Sequence, residues 1–211
     1  MKVNHIEFIY FDLWWVVIQD FSGTNKWDEM LFDLWLDTQW KEDFRRIFNQ
    51  NVDGLSTWDI ESWELIWILE KETAIAFPKY YNLIDDFVMR FEENKGIEEV
   101  IKEIQKTHKV WLLTNMYPWM FWKIKAKWIL PDIVWDIIID SSEVKMKKPY
   151  DGIYTYAEKL SWKKWDQLLF IDNLEENLVP ASKLWWSTIL YNPEKPEESN
   201  TKILESLWII H

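Results

Sequence analysis

No cysteine occurs among the 211 residues of this chain. That absence excludes disulfides, thiolate nucleophiles and zinc–thiolate centres together. Nor does any uncharged run approach the ~18 residues that a membrane helix needs. Met1–His5 lead straight into a strand, with no pattern of a secretory leader. These features predict a soluble, cytoplasmic protein with no membrane partner. Positive charge is short as well: 24 basic against 36 acidic residues leave a net −12. Such a surface argues against nucleic acid or an anionic membrane as partner. A small phosphorylated substrate stays open, because a metal ion and local backbone amides can supply positive field.

Glycine is scarce, with only four residues, where the usual share of about 7% would give roughly 15. Tryptophan is in excess, at 18 residues. Its placement is informative. Trp14 and Trp15 follow an apolar strand, Trp128 follows Lys-Ala-Lys, Trp162 and Trp165 sit in a lysine-rich turn, and Trp185 and Trp208 follow leucine at helix ends. Those places favour a residue that accepts positive φ or stops a helix, which is glycine's role. The expectation is that many of these tryptophans stand where the natural chain has glycine. That happens when UGA, read as glycine in some bacterial lineages, is translated by a code that reads it as tryptophan. About a dozen such replacements would bring glycine to roughly 16, an ordinary content. Trp135 and Trp186, by contrast, sit where an aromatic is natural.

The length fits one domain, or a core carrying an inserted subdomain, and 48% hydrophobic residues can fill a substantial core. Ile6–Phe11 is a short apolar run ending at Asp12, which predicts a buried strand. From about Phe21 to Phe91 apolar residues recur at three- and four-residue spacings among charges, as with Leu31, Leu34 and Trp35, or Ile60, Leu65, Ile66 and Leu69. Gly54-Leu55-Ser56 and Phe77-Pro78 divide this stretch into separate helices. After Gly96 the pattern alternates. Strands are expected at Val110–Leu113, Ile137–Ile139, Leu168–Ile171 and Thr188–Tyr191. Helices are expected at Ile97–Thr107, Pro118–Lys127, Gly152–Leu160, Glu175–Leu184 and Thr201–Leu207. Alternation with continuously apolar strands predicts an α/β fold: a Rossmann-like parallel sheet covered on both faces. Residues 1–19 and 93–211 would form that core, and residues 20–92 an inserted α-helical cap.

Four places at or just beyond strand ends carry polar residues: Asp12, Thr114-Asn115, Lys148 and Asp172. In open parallel sheets ligands bind at the carboxyl ends of the strands, so these groups can converge. A single strand-end Asp is most often a helix cap or a satisfied turn. Four in this order are harder to explain that way.

These segments resemble the haloacid-dehalogenase-like (HAD) hydrolase superfamily, mostly metal-dependent phosphatases, and the resemblance covers nearly the whole chain. Its first motif matches Tyr10-Phe11-Asp12-Leu13-Trp14-Trp15-Val16. With glycine at 14 and 15 this is a variant start found in the branch with a helical cap. The second motif matches Leu112-Leu113-Thr114-Asn115, and the third Ser142-Glu143-Val144 with Lys148-Pro149. The fourth matches Phe170-Ile171-Asp172-Asn173, with Glu176-Asn177 and Ala181 in the following helix. The resemblance implies that Asp12 is a nucleophile forming an aspartyl-phosphate. It implies Mg²⁺ held by Asp12, the backbone carbonyl of Trp14 and Asp172. Thr114 and the amides near Asn115 would hold phosphate oxygens, and Lys148 would neutralise phosphate charge and orient Asp12. Lys147 is the alternative register, and a solvated member of the Lys145–Lys148 cluster is the plain reading of either.

The chain departs from the pattern at position 14, where many of these phosphatases carry a second Asp as general acid and base. Losing a positioned proton donor typically costs about 10²–10⁴ in rate. Asp20 is a substitute donor or an ordinary solvated residue. Asn173 replaces an Asp of many relatives and can still hold a metal-bound water. Two indoles at 14 and 15 would crowd the loop where phosphate must approach, so the chain as written is expected to fold poorly and to be inactive. The favoured expectation is an Mg²⁺-dependent phosphatase of a small phosphorylated metabolite, sugar phosphates among the candidates. A 2-haloacid dehalogenase is the second reading, favoured by an aromatic at 14 and opposed by Val16, where those relatives have Thr. An inert binding protein on the same fold is the third. His5, His108 and His211 are expected at the surface.

Overall fold

A computed structural model describes residues 5–21, 24–36, 38–73 and 75–207; Trp208 and His211 lie outside them. The chain begins with strand β1 (Phe8–Phe11) and a two-residue strand β2 (Ile18–Gln19). Four helices follow: α1 (Lys26–Asp33), α2 (Thr38–Ser56), α3 (Ser62–Glu72) and α4 (Leu83–Met89). Then come β3 (Glu92–Glu93), α5 (Ile97–Ile104), β4 (Lys109–Thr114), α6 (Met120–Ala126), β5 (Ile137–Asp140) and the short α7 (Ser141–Val144). The chain continues through α8 (Asp151–Ser161), a 3₁₀ turn at Trp165–Gln167, β6 (Leu168–Asp172), α9 (Glu175–Lys183), β7 (Ser187–Leu190) and α10 (Pro196–Ser206).

Five strands form one parallel sheet in the order β5-β4-β1-β6-β7. From β1 the chain steps outward through β4 to β5, then returns to the other side of β1 for β6 and β7. The reversal leaves a crevice at the carboxyl ends of the central strands, the usual ligand position in open α/β sheets. Strand period two explains why these strands are apolar throughout. Ile9, Phe11, Leu112 and Ile171 face one layer with Ile101 of α5 and Ile203 of α10. Tyr10, Leu113 and Phe170 face the other, against Tyr154 and Ala157 of α8 and Ala181 of α9. The fold is the expected Rossmann-like α/β sandwich.

Between β2 and β3 the described residues build α1 to α4, and the two ends of this stretch meet where β2 pairs antiparallel with β3, Ile18 opposite Glu93 and Gln19 opposite Glu92. Some boundaries differ from the expected ones. Helix α2 runs through Gly54-Leu55 and ends at Ser56, so the break falls just after that triplet. Leu31, Leu34 and Trp35 do not share one helix, because α1 stops at Asp33. Helix α10 begins at Pro196, whose missing N–H costs nothing in a first turn, five residues before the expected start. Among the described residues no helix is long and apolar enough to cross a membrane.

Among the described residues nine other than glycine have positive φ, and seven are tryptophan: 15, 35, 58, 119, 128, 162 and 185. Trp185 shows what the backbone requires. It follows α9 with φ 67°, its N–H bonds to Ser182 O at 3.0 Å, and Trp186 N–H bonds to Ala181 O at 3.0 Å. That is a Schellman helix end, which calls for a left-handed residue and most often takes glycine. Trp35 repeats the arrangement after α1. Trp14 and Trp165, expected in the same class, are not left-handed: Trp14 lies in an extended bridge with Ile18, and Trp165 opens the 3₁₀ turn. Trp186 is buried and stacks on Tyr10 with ring centroids 5.2 Å apart, as expected of a native aromatic.

Candidate active site

The three central strands each deliver one polar side chain to the same edge. Asp12 follows β1, Thr114 ends β4 and Asp172 ends β6. Parallel pairing fixes their level, because Phe11 stands opposite Leu112 and Ile171. The Asp12 N–H continues the ladder to Ile171 O at 2.8 Å. All three side chains are nearly sealed from solvent, Asp12 at 3% and Thr114 and Asp172 at 0% exposure.

Lys148 arrives from the loop before α8 and bridges the two carboxylates. Its Nζ lies 2.8 Å from Asp12 Oδ1 and 2.6 Å from Asp172 Oδ2. Burial works against its charge, yet the two carboxylates together hold the ammonium above the ordinary lysine value. The Asp12 carboxyl is raised as well: burial is the main cause, and neighbouring Asp172 adds to the rise against the pull of Lys148. Two carboxylates share one ammonium, so the buried cluster carries an excess of negative charge.

The loops around this cluster are pinned by hydrogen bonds. Asn115 Nδ2 donates to Lys148 O at 2.9 Å, and Lys148 N–H donates to Asn115 Oδ1 at 2.8 Å. This reciprocal pair fastens the lysine loop to the end of β4 and commits the Asn115 side chain to positioning. Asp172 Oδ1 accepts from Leu174 N–H at 2.8 Å, and Asn177 Nδ2 lies 3.2 and 3.1 Å from its two oxygens. Leu13 N–H donates to Asp12 Oδ1 at 2.7 Å. Ser141 links the site to the helical segment, donating to Ser56 O at 2.6 Å and accepting from Met116 N–H at 2.9 Å. The latch role of Asn115 and the tie of Ser141 have no signature in the sequence, since both depend on loops 25 or more positions apart.

Lys147 does not join the cluster; it pairs with Asp53 of α2. Lys145 is exposed. Trp14 lies beside the site, its Nε1 donating to Asn115 O at 2.5 Å and its ring packed on Phe91 at 5.1 Å. Asp20 is half-buried and lines the cavity described below. His5 is exposed and His108 half-buried beside Thr107, both away from these strand ends.

A magnesium ion fits the donor set. It prefers carboxylate oxygens and keeps several waters, and Asp12 and Asp172 offer hard oxygens in a cluster short of positive charge. Asn173, next to Asp172, has a buried Oδ1 without a hydrogen-bond partner. Such an acceptor suits a metal-bound water. Among the described residues no group of three or more His, Cys, Asp or Glu side chains forms a cage, so waters would fill the remaining positions.

No family model and no curated protein matches the sequence. Solved structures do match. A HAD-family enzyme of Bacteroides thetaiotaomicron in its magnesium complex superposes with a TM-score of 0.73 at 18% identity, over 89% of this chain and 93% of that one. A predicted HAD-like hydrolase of Porphyromonas gingivalis gives 0.65 at 17%, over 95% and 98%. The L-2-haloacid dehalogenase of Xanthobacter autotrophicus, with chloropropionic acid covalently bound, gives 0.63 at 16%, over 98% and 85%. The sheet order, the placement of the helices and these superpositions agree: the chain has the fold of the HAD-like enzymes.

Proposed function

We propose that the protein is a HAD-like hydrolase, and specifically a Mg²⁺-dependent phosphatase of small phosphorylated metabolites. The observation that carries this reading is the buried Asp12–Lys148–Asp172 cluster at the sheet's switch point. A structural ion pair needs one carboxylate; the second is a cost unless a further cation or a reacting group uses it. The magnesium complex of the Bacteroides neighbour supports the same view.

Bound between Asp12, Asp172 and the Trp14 carbonyl, magnesium would offset the repulsion between a carboxylate and a phosphoryl group. The chain's own residues do the rest. Leu13 N–H and Lys148 both hold Asp12 Oδ1, which leaves Oδ2 to act as nucleophile. Lys148 neutralises charge on the phosphoryl oxygens. Thr114 and the backbone amides around Asn115 hold those oxygens. The helices between β2 and β3 act as the cap that excludes water.

A dehalogenase is the second reading, favoured by the aromatic Trp14 beside Asp12 and by the dehalogenase neighbour. Ion release separates the two. The account expects phosphate from a panel of sugar, nucleotide and aryl monophosphates with Mg²⁺, none with chelator, and none from Asp12→Asn. Metal-independent chloride release from 2-chloropropionate would replace it with the dehalogenase. Because the Trp14 indole packs beside the site on Phe91 and Asn115 and Trp15 holds left-handed backbone, the assay includes the Trp14→Gly/Trp15→Gly chain, which is expected to be the more active.

A further inference from the structure

Between the helical segment and the sheet lies a cavity of about 290 Å³. Phe21, Phe48, Phe87 and Phe91 form one side and Tyr117 part of the other. It reaches Trp14 and Asn115, the neighbours of Asp12 and Thr114. Its volume is at the small end for a ligand pocket and suits a single ring system. Its surface is mostly apolar. Of its hydrogen-bonding groups, Lys147 is paired with Asp53 and Ser56 Oγ donates to Val52 O at 2.8 Å, while Trp27 Nε1 is buried without a hydrogen-bond partner and Asp20 and Tyr117 also line the space. A sugar placed here would set most of its hydroxyls against aromatic carbon.

A second observation is independent of the cavity. Position 14 holds an indole, and glycine there would be no better, so the residue two past Asp12 offers no acid. The indole N–H is in any case committed to Asn115 O at 2.5 Å. With no donor at that position, the favoured leaving group is one that departs as its own anion. Phenolate does so with a conjugate-acid pKa of about 10. An aliphatic alkoxide is closer to water, at about 15.7, and needs a donor.

We infer that the ester cleaved at this site is an aryl phosphate, with its ring in the cap–sheet cavity; this rests on the phosphatase reading. Asp12 forms a bond to phosphorus while the phosphorus–oxygen bond to the ring breaks, and the electron pair leaves with the aryl oxygen. Solvent protonates the phenolate. Water then adds to phosphorus, the bond to Asp12 breaks, and phosphate and a proton are released.

The test measures kcat/KM for phenyl, 4-nitrophenyl, hexose 6- and acetyl phosphates with Mg²⁺, on the full Trp14→Gly/Trp15→Gly chain. Phenyl phosphate is expected to exceed hexose phosphate by at least about 10²-fold, the worth of a missing donor. Among substituted phenyl phosphates the rate should rise steeply as the phenol becomes more acidic. Val52→Trp, which fills the cavity from half-buried Val52, should lower the ratio of phenyl to acetyl phosphate turnover at least tenfold. Hexose phosphate turned over as well as phenyl phosphate overturns the inference and leaves the phosphatase standing. So does a flat dependence on phenol acidity, which would mean that an acid such as Asp20, in the cavity wall, protonates the leaving group. No turnover of any of these phosphates, the anhydride acetyl phosphate included, by a folded protein removes the phosphatase reading itself.

Discussion

Among the described residues seven tryptophans hold left-handed backbone, and five of them are exposed: Trp35 93%, Trp119 57%, Trp128 87%, Trp162 90% and Trp185 73%. A large apolar ring standing mostly in water buries little, while the backbone beneath it carries a steric cost of about 1–2 kcal/mol for its Cβ. Glycine removes both costs. Trp185→Gly is therefore expected to raise unfolding free energy by about 1 kcal/mol in a denaturant titration, and a loss of stability would count against the reading. Trp186→Gly is the opposite case, because that ring is buried on Tyr10 and its Nε1 donates to Glu158; truncation there should cost about 3–5 kcal/mol. The gene gives a direct check: UGA is expected at codons 15, 35, 58, 119, 128, 162 and 185, and UGG there contradicts it. Lys148 is the other decisive residue. Lys148→Met would leave Asp12 and Asp172 buried without their counter-charge, an expected loss of about 3–5 kcal/mol. Magnesium should restore part of it in a thermal melt, because the ion binds only the folded pair.

Elements separate what the sequence shows from what it hides. Strands β1, β4 and β6 were legible because each is an apolar run closed by a polar residue, and so was the ordering of Asp12, Thr114 and Asp172. Strands β2 and β3 were not, since two residues carry no period. Their pairing closes the neck between sheet and helices, and Asn94 secures it. Asn94 Nδ2 donates to Val16 O at 2.6 Å and to Tyr191 Oη at 3.0 Å, joining the loop after β1 to the end of β7. Nothing in the local sequence marks that asparagine, because its partners lie 78 and 97 positions away. Asn94→Ala should destabilise the fold by about 1–3 kcal/mol through the unpaired Val16 carbonyl. It should also speed hydrogen exchange in residues 13–18; unchanged exchange there would mean that the neck does not depend on it. The end of α1 was misread for a related reason: the three-residue spacing of Leu31 and Leu34 continues past the Schellman turn that stops the helix.

For the molecule as a whole, the parallel sheet matters less for its stability than for where it reverses. Because β1 lies between β4 and β6, the Asp12 carboxylate, the Thr114 hydroxyl and the Asp172 carboxylate meet at one edge, with Lys148 brought in by a loop that Asn115 latches. A net charge of −12 does not oppose an anionic substrate here, since recognition is local and the excess negative charge at the cluster is what a divalent cation would neutralise. The central claim is that Asp12 carries a phosphoryl group which water removes at phosphorus. A single turnover of phenyl phosphate in heavy-oxygen water, followed by mass analysis of the phosphate and of the Asp12 peptide, tests it most directly. The expected result is a phosphorylated Asp12 peptide when the turnover is quenched early, then the heavy atom in phosphate and none in Asp12; an Asp12 peptide never phosphorylated, or a heavy atom in its side chain from attack at the acyl carbonyl as in a dehalogenase, would overturn it.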